Sequence, residues 1–292
     1  MPSCAGRQGL ILAGTVGGNR GDAAARTCWV LVLGCFLLSL VGCARDLPTL
    51  EPTDLPVSLV TEKLEEKRGQ LSSFRAVGAL KVQSGIRHWS GRAFLLGRMP
   101  ESLRLEVLSF LGPPLLYVVS DGNQFLTWVP GRNQAYQGMT AGNTLGSLLD
   151  FPLADEEALL LLAGIVPSSN PLEAKLFRER QTENLVLQWQ NSLSQQVERV
   201  WLRAVDLTAI KFERFKGNKR QLEVQYTDFV ITKEFIYPRS VAIEASGFSL
   251  NLDYKQFAVN DPLPRGVFGL ALPEGVEVLP WSPSMPGFLG KR

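Results

Sequence analysis

This 292-residue sequence contains very little histidine and no cysteine in its later part. None of its four cysteines follows Cys43, and His88 is the only histidine. A zinc site with two histidines, a cysteine nucleophile in the later chain and a disulfide framework are therefore excluded. The G-x-S-x-G, S-x-x-K, phosphate-loop and Asp-rich calcium-loop motifs are missing as well. These absences argue against an enzyme and favour ligand binding without chemistry.

Net charge is also small, with 30 Lys and Arg against 28 Asp and Glu. Residues 1–42 contain three of the basic and one of the acidic residues, so the rest of the chain has 27 of each. Proteins that bind nucleic acid gain much of their affinity by neutralising phosphates. A neutral chain without a basic face gives no support for a nucleic-acid partner.

No apolar run reaches the roughly 18 residues that a membrane-spanning helix needs. The longest candidate begins near Cys28, follows Arg20 and Arg26, and ends at Leu40-Val41-Gly42-Cys43. A basic region, a short apolar region and small residues before a cleavage site are typical of a secretory signal. We therefore expect residues 1–42 to be a signal peptide.

The Leu-x-Gly-Cys ending resembles a bacterial lipobox, in which the cysteine is acylated and becomes the mature N-terminus. We expect Cys43 to carry a diacylglycerol and an N-acyl chain, and we expect no other cofactor. An ordinary signal peptide with a structural Cys43 is the alternative, but the later chain offers no thiol as a disulfide partner. Residues 43–57 contain three prolines among polar residues, which predicts an extended tether between lipid and domain.

The following chain changes from a helical period to a strand period. Val57, Val60, Leu64 and Leu71 recur at helical spacing and predict one amphipathic helix. From Phe74 onward, apolar and polar residues alternate between turn residues every 8 to 12 positions, which predicts about eleven strands. The hairpin around Lys216-Gly217-Asn218-Lys219 is the clearest of these, since the segments on both sides alternate.

An apolar insertion at residues 143–166 interrupts the strands. Ala154-Asp155-Glu156-Glu157 is typical of the acidic first turn of a helix, and Pro167 ends the pattern. The run from Ala158 to Val166 is too short to span a bilayer. It predicts a buried helix or a lid.

This order of elements resembles the LolA/LolB family of lipoprotein carriers, and most closely its lipid-anchored receptors. The resemblance is carried by short segments whose order matches the family: Phe74 to Leu80, Leu103 to Gly112, Arg199 to Leu202 with Ile210 to Phe212, and Val267 to Leu270 with Leu272 to Val276.

The resemblance implies a mainly β (α+β) fold. Its single, strongly curved antiparallel sheet would form a half-barrel, capped by two to three helices over an apolar cavity for acyl chains. The lipid-binding domain would cover residues 58–280, and an irregular tail would follow at 281–292. Our candidates for the cavity wall are Phe94, Leu96, Leu103, Leu105, Val107, Val118, Phe125, Leu159 and Leu162.

The resemblance also implies an outer-membrane-anchored periplasmic lipoprotein. Its partners would be acylated lipoproteins or lipid, a periplasmic carrier protein, and the membrane. Lipid-anchored relatives use an exposed leucine after the third strand to deliver cargo, and Phe110, Leu111 and Gly112 occupy that place here. Alternatively, Leu111 folds into the core. An assembly lipoprotein that binds a protein partner with the same fold is the alternative function, which a filled apolar core would favour.

One basic group remains ambiguous. It surrounds the predicted hairpin turn and consists of Lys211, Arg214, Lys216, Lys219 and Arg220. These side chains form either a solvated turn or a contact to anionic lipid headgroups.

Overall fold

The computed structural model of the protein describes residues 49–140, 153–167, 174–191, 196–233 and 235–281. The predicted signal peptide, Cys43 and the first part of the predicted tether lie outside these residues. Contacts along the chain define Pro48–Arg292 as one compact unit, which contains every described element and its own hydrophobic core. This unit can therefore fold without residues 1–47. No described helix is both long and apolar enough to cross a bilayer.

The described strands form one 15-stranded sheet. Its spatial order is β1-β8-β9-β10-β11-β12-β13-β14-β2-β3-β4-β5-β6-β7-β15. The strands are β1 Leu50–Pro52, β2 Ser73–Ser84, β3 Arg87–Arg98, β4 Ser102–Leu108, β5 Pro114–Ser120, β6 Gln124–Val129, β7 Gln134–Met139, β8 Lys175–Glu179, β9 Leu185–Asn191, β10 Gln196–Leu202, β11 Ala209–Lys216, β12 Lys219–Ile231, β13 Ile236–Ala245, β14 Phe248–Val259 and β15 Glu277–Pro280.

The mainly β prediction is confirmed, but the predicted number of strands is wrong. The additional strands include β1, which lies within the segment expected to be a tether, β7, which buries only Ala135, and the largely exposed β15. These strands bury few side chains, so they lack the alternation that reveals a strand in a sequence. The sheet is also not purely antiparallel, because β15 pairs with β7 in parallel. The predicted hairpin is confirmed by the pairing of Lys216 with Lys219.

Two α-helices occur in the described residues, within the predicted two to three. Helix α1, Val57–Gly69, buries Val60, Thr61 and Leu64. Helix α2, Asp155–Leu162, confirms the predicted buried helix. A short 3-10 helix, Pro130–Arg132, connects β6 to β7.

Helix α2 packs against one face of the sheet, which we call the inner face. Its last carbonyls are satisfied by two buried phenols from that face: Tyr226 donates to the oxygen of Leu161 at 2.9 Å and Tyr254 to that of Leu162 at 2.8 Å. Burial raises the pKa of both tyrosines, so both remain hydrogen-bond donors. These bonds replace the partners that a helix C-terminus lacks.

Gly97 of β3 lies where α2 packs closely on the sheet. An added Cβ at this position would lie 2.4 Å from Cε1 of Phe74 and 3.0 Å from Cδ2 of Leu159. We expect Gly97→Ala to lower the free energy of unfolding by about 1–3 kcal/mol, because the core cannot accept the methyl group without strain. Urea denaturation measures the change. The control is Gly69→Ala, whose added Cβ meets nothing within 4 Å. Equal stability of the two variants would contradict this account of the packing.

Candidate functional site

Most of the predicted wall residues lie on the inner face. Six of them are buried in one hydrophobic cluster that joins both halves of the sheet, and Leu105 packs against it while half-buried. The six are Leu103, Val107, Val118, Phe125, Leu159 and Leu162. Strands β4 to β6 and helix α2 therefore bring the predicted wall residues together.

The prediction that Phe94 and Leu96 belong to the cavity wall is wrong, because both residues lie on the opposite face of the sheet. Phe94 pairs with Glu106 and Leu96 with Arg104, whereas Ala93 and Leu95 are buried in the core. Alternate residues of a strand point to opposite faces, so a register error of one residue exchanges the faces. Ala93 and Leu95 replace Phe94 and Leu96 as wall residues.

The outer face of β4 is covered by a later segment of the chain. The guanidinium of Arg104 donates to the carbonyl oxygens of Val267 and Gly269, each at 2.8 Å. Between them, Phe268 is buried beneath the guanidinium of Arg98, 4.8 Å from its ring centre. This cover explains how a bulky apolar pair such as Phe94 and Leu96 is tolerated on that face.

A small apolar cavity lies at the inner face of β2 to β5. Its volume is about 30 Å³, and its walls include Leu80, Val82, Trp89, Leu105, Val107 and Leu116. Small-molecule sites usually have volumes of about 300–1,000 Å³. The cavity is apolar, but its volume is too small for an acyl chain.

A larger groove of about 270 Å³ lies between α1, the C-terminal end of α2 and the loops before β11 and β13. Its apolar walls include Leu64, Ile165 and Phe235, and Lys67 lies at its side. Lys67 donates to the carbonyl oxygen of Asp206 at 2.5 Å, and burial lowers the pKa of its ammonium group. Sequence patterns do not predict this groove, since its residues come from distant segments without a shared motif.

A buried charge cluster holds the start of α2 against the sheet. Arg214 of β11 is only 5% exposed and forms ion pairs with Glu198 of β10 and Glu157 of α2, the latter at 2.6 Å. Burial acts to lower the pKa of Arg214, but the two carboxylates together raise it above its ordinary value. Burial also raises the pKa of Glu198, although Arg214 opposes this shift. The sequence placed Arg214 in a basic turn, whereas it lies in the protein interior.

The predicted membrane loop between β4 and β5 projects into solvent. Leu111 is 95% exposed and Phe110 is 66% exposed. Gly112 has a φ of +105°, which glycine adopts without strain, and its N–H donates to the oxygen of Ser109 at 3.0 Å. The alternative in which Leu111 folds into the core does not match this geometry. Cys43, the predicted lipidation site, lies outside the described residues.

Within the described ranges, no three His, Cys, Asp or Glu side chains are placed to share a metal ion. The arrangement offers an apolar interior, a buried ion cluster and an exposed apolar loop.

The buried cluster generates a stability prediction. We expect Arg214→Met to lower the free energy of unfolding by about 3–5 kcal/mol, because it leaves two carboxylates without their buried counter-charge. Arg75→Met is the matched control, since Arg75 pairs with Asp261 at 2.8 Å on the exposed surface, where such pairs contribute about 1 kcal/mol or less. Chemical denaturation of both variants measures the difference. Similar losses would contradict a structural role for the cluster.

No protein-family profile matches this sequence, and no curated protein sequence is significantly similar to it. Similarity is found among solved structures. A domain from Vibrio parahaemolyticus, provisionally named as an outer membrane lipoprotein-sorting protein, superposes with a TM-score of 0.50 at 10% identity, covering 73% of this chain and 97% of that one.

Two further structures match slightly less well. A LolA superfamily protein from Nitrosomonas europaea has a TM-score of 0.48 at 16% identity, with 74% of this chain and 98% of that one covered. A DUF1329 family protein from Desulfovibrio piger has a TM-score of 0.49 at 10% identity, with 73% and 97% covered. At such identities a likeness shows the fold alone. The chain thus shares the large, curved, open sheet of the Vibrio domain.

Proposed function

We propose that this protein is a periplasmic, outer-membrane-anchored carrier that binds acyl chains of lipoproteins or lipid and helps insert them into the outer membrane. The observation that carries the proposal is the apolar inner face covered by a short apolar helix, in the fold of a domain named for lipoprotein sorting. The resemblance of the sequence to lipid-anchored receptors supports the same function.

Helix α2 would occupy the place of the cargo when none is bound. Its four consecutive leucines, Leu159 to Leu162, are all buried. Exposing a buried leucine costs about 1.5–3 kcal/mol, whereas each buried CH₂ of an acyl chain recovers about 0.8 kcal/mol. An acyl chain could therefore replace α2 on the inner face at little net cost. The small cavity beside Leu105 and Val107 would be the starting point for entry.

The loop of Phe110 and Leu111 would contact the bilayer that accepts the cargo. A side chain as exposed as Leu111 gains free energy if it enters lipid. The lipid on Cys43 would keep the protein beside that bilayer, and a periplasmic carrier protein would supply the acylated cargo.

A second candidate function is an assembly lipoprotein that binds a protein partner. It is favoured by the contiguous, filled core and by the small volume of the apolar cavity. In this case α2 would remain in place, and the exposed loop would contact protein.

Photo-crosslinking distinguishes the two functions. A diazirine amino acid at Val107, on the inner face, should crosslink a fatty acid or a lipoprotein acyl chain. The same amino acid at Phe94, on the outer face of the neighbouring strand, should not. The crosslinked adducts are measured by mass spectrometry. Equal labelling at both positions, or none at Val107, would refute acyl binding at the inner face.

Replacing the exposed leucine tests delivery. Leu111→Glu should leave the free energy of unfolding within about 0.5 kcal/mol, because the side chain packs against nothing. It should reduce lipoprotein transfer to liposomes by about tenfold or more, since a charge replaces an apolar group that would enter lipid. Val205→Glu is the control: Val205 is 85% exposed, but it lies in the β10–β11 loop at the opposite end of the sheet. An equal effect of both variants would contradict a specific role for Leu111.

A further inference from the structure

Three hairpin turns leave the sheet at the same end. Ser84 pairs with Phe248, Phe248 with Ala245, and Ala245 with Leu222. Because paired residues of antiparallel strands lie directly opposite each other, the β2–β3, β13–β14 and β11–β12 turns all project beyond this line. The first two are joined by a hydrogen bond of 3.0 Å from Gly85 N–H to the oxygen of Gly247. We call this edge the turn end.

The turn end exposes an apolar side chain that the proposed function does not use. Ile86, at the tip of the β2–β3 turn, is 95% exposed. Gly85, before it, has a φ of +58°, so the backbone turns sharply and leaves Ile86 outside the sheet. The β4–β5 loop with Phe110 and Leu111 leaves the sheet toward the same end, although β4 stops at the level of Arg92.

The β11–β12 turn supplies positive charge at the same end of the sheet, and it extends beyond the other two turns because Lys219 lies three residues past Leu222 on β12. Lys216 and Lys219 are exposed and form no ion pair in the described part of the chain. The neighbouring basic residues are engaged elsewhere. Lys211 lies 3.5 Å from the ring centre of Trp201, Arg214 is buried, and Arg220 pairs with Glu223, Glu213 and Glu244. The two lysines are therefore available to an external anion.

The two turns leave the sheet from strands that are near neighbours in it. Three strand spacings separate β12 from β2, which corresponds to roughly 15 Å. An apolar side chain beside basic ones is the combination that binds the interface of an anionic bilayer, where the apolar group enters the headgroup boundary and the lysines meet phosphates.

We propose that the turn end is a docking surface for an anionic lipid bilayer, with Ile86 inserted and Lys216 and Lys219 on the headgroups. This inference rests on the proposed function, because it names the lipid surface that a membrane-delivering carrier would meet. The charge on the lysines selects lipid over an apolar protein groove, since each basic residue near an anionic leaflet adds to the attraction.

The test measures binding of the Pro48–Arg292 unit to vesicles of phosphatidylcholine, with and without 30% phosphatidylglycerol. The wild type should prefer the anionic vesicles, and salt should weaken that preference. Lys216→Gln with Lys219→Gln should reduce affinity for anionic vesicles about 30-fold and leave the weak binding to neutral ones unchanged. Ile86→Ser should reduce binding to both on the order of tenfold.

Controls come from exposed residues away from the turn end. Val205→Ser matches Ile86→Ser, and Lys233→Gln with Lys255→Gln matches the double lysine variant. Circular dichroism verifies that every variant folds. The inference is overturned if wild-type binding ignores vesicle charge, or if the control variants lose as much affinity as the turn-end variants.

The vesicle-binding test can fail independently of the crosslinking test for acyl binding. Lipid crosslinked at Val107 without charge-dependent vesicle binding would overturn the docking surface and leave the carrier function standing. Charge-dependent binding without crosslinked lipid would support the docking surface and refute the carrier.

Discussion

The need to cover the inner face of the sheet is the constraint on which this structure depends. Strands from both halves contribute side chains to one apolar surface, and an uncovered surface of that kind would associate with any apolar neighbour. The eight-residue helix α2 packs on this surface, and all of its apolar residues are buried. The remaining features of the interior hold that helix in place: two phenols bind its last carbonyls, and Arg214 binds Glu157 in its first turn.

Tertiary contacts stabilise helix α2 more than its intrinsic tendency to form a helix does. A helix of eight residues is marginal in water, because nucleation is unfavourable and few hydrogen bonds follow. Its stability therefore comes from the apolar contacts that an acyl chain could also make. Displacing helix α2 would break the apolar contacts made by Leu159 to Leu162 and the ion pair formed by Glu157. In the proposed carrier, the same contacts would set the affinity that cargo must exceed.

The sequence predicted those features that a local pattern encodes. The acidic start and apolar run of α2, the Lys216–Lys219 hairpin and the position of the Leu111 loop follow from such patterns. The face on which Phe94 and Leu96 lie does not follow from a local pattern. Both faces of β3 carry apolar residues, and the chain near Phe268 covers the outer one. The groove beside Lys67 and the burial of Arg214 depend on contacts between segments far apart, which periodicity does not contain.

The small cavity lies near the turn end, which fits the proposed delivery of cargo there. Trp89, which lines it, lies near the start of β3, and Leu116 lies near the start of β5. The β2–β3 turn with Ile86 and the loop with Leu111 precede these two strand starts directly. The larger groove lies at the opposite end, beside the loops that precede β11 and β13. An acyl chain that enters along β3 and β5 would thus leave toward the exposed apolar residues, and its path to a bilayer would not cross the charged flank of Lys67.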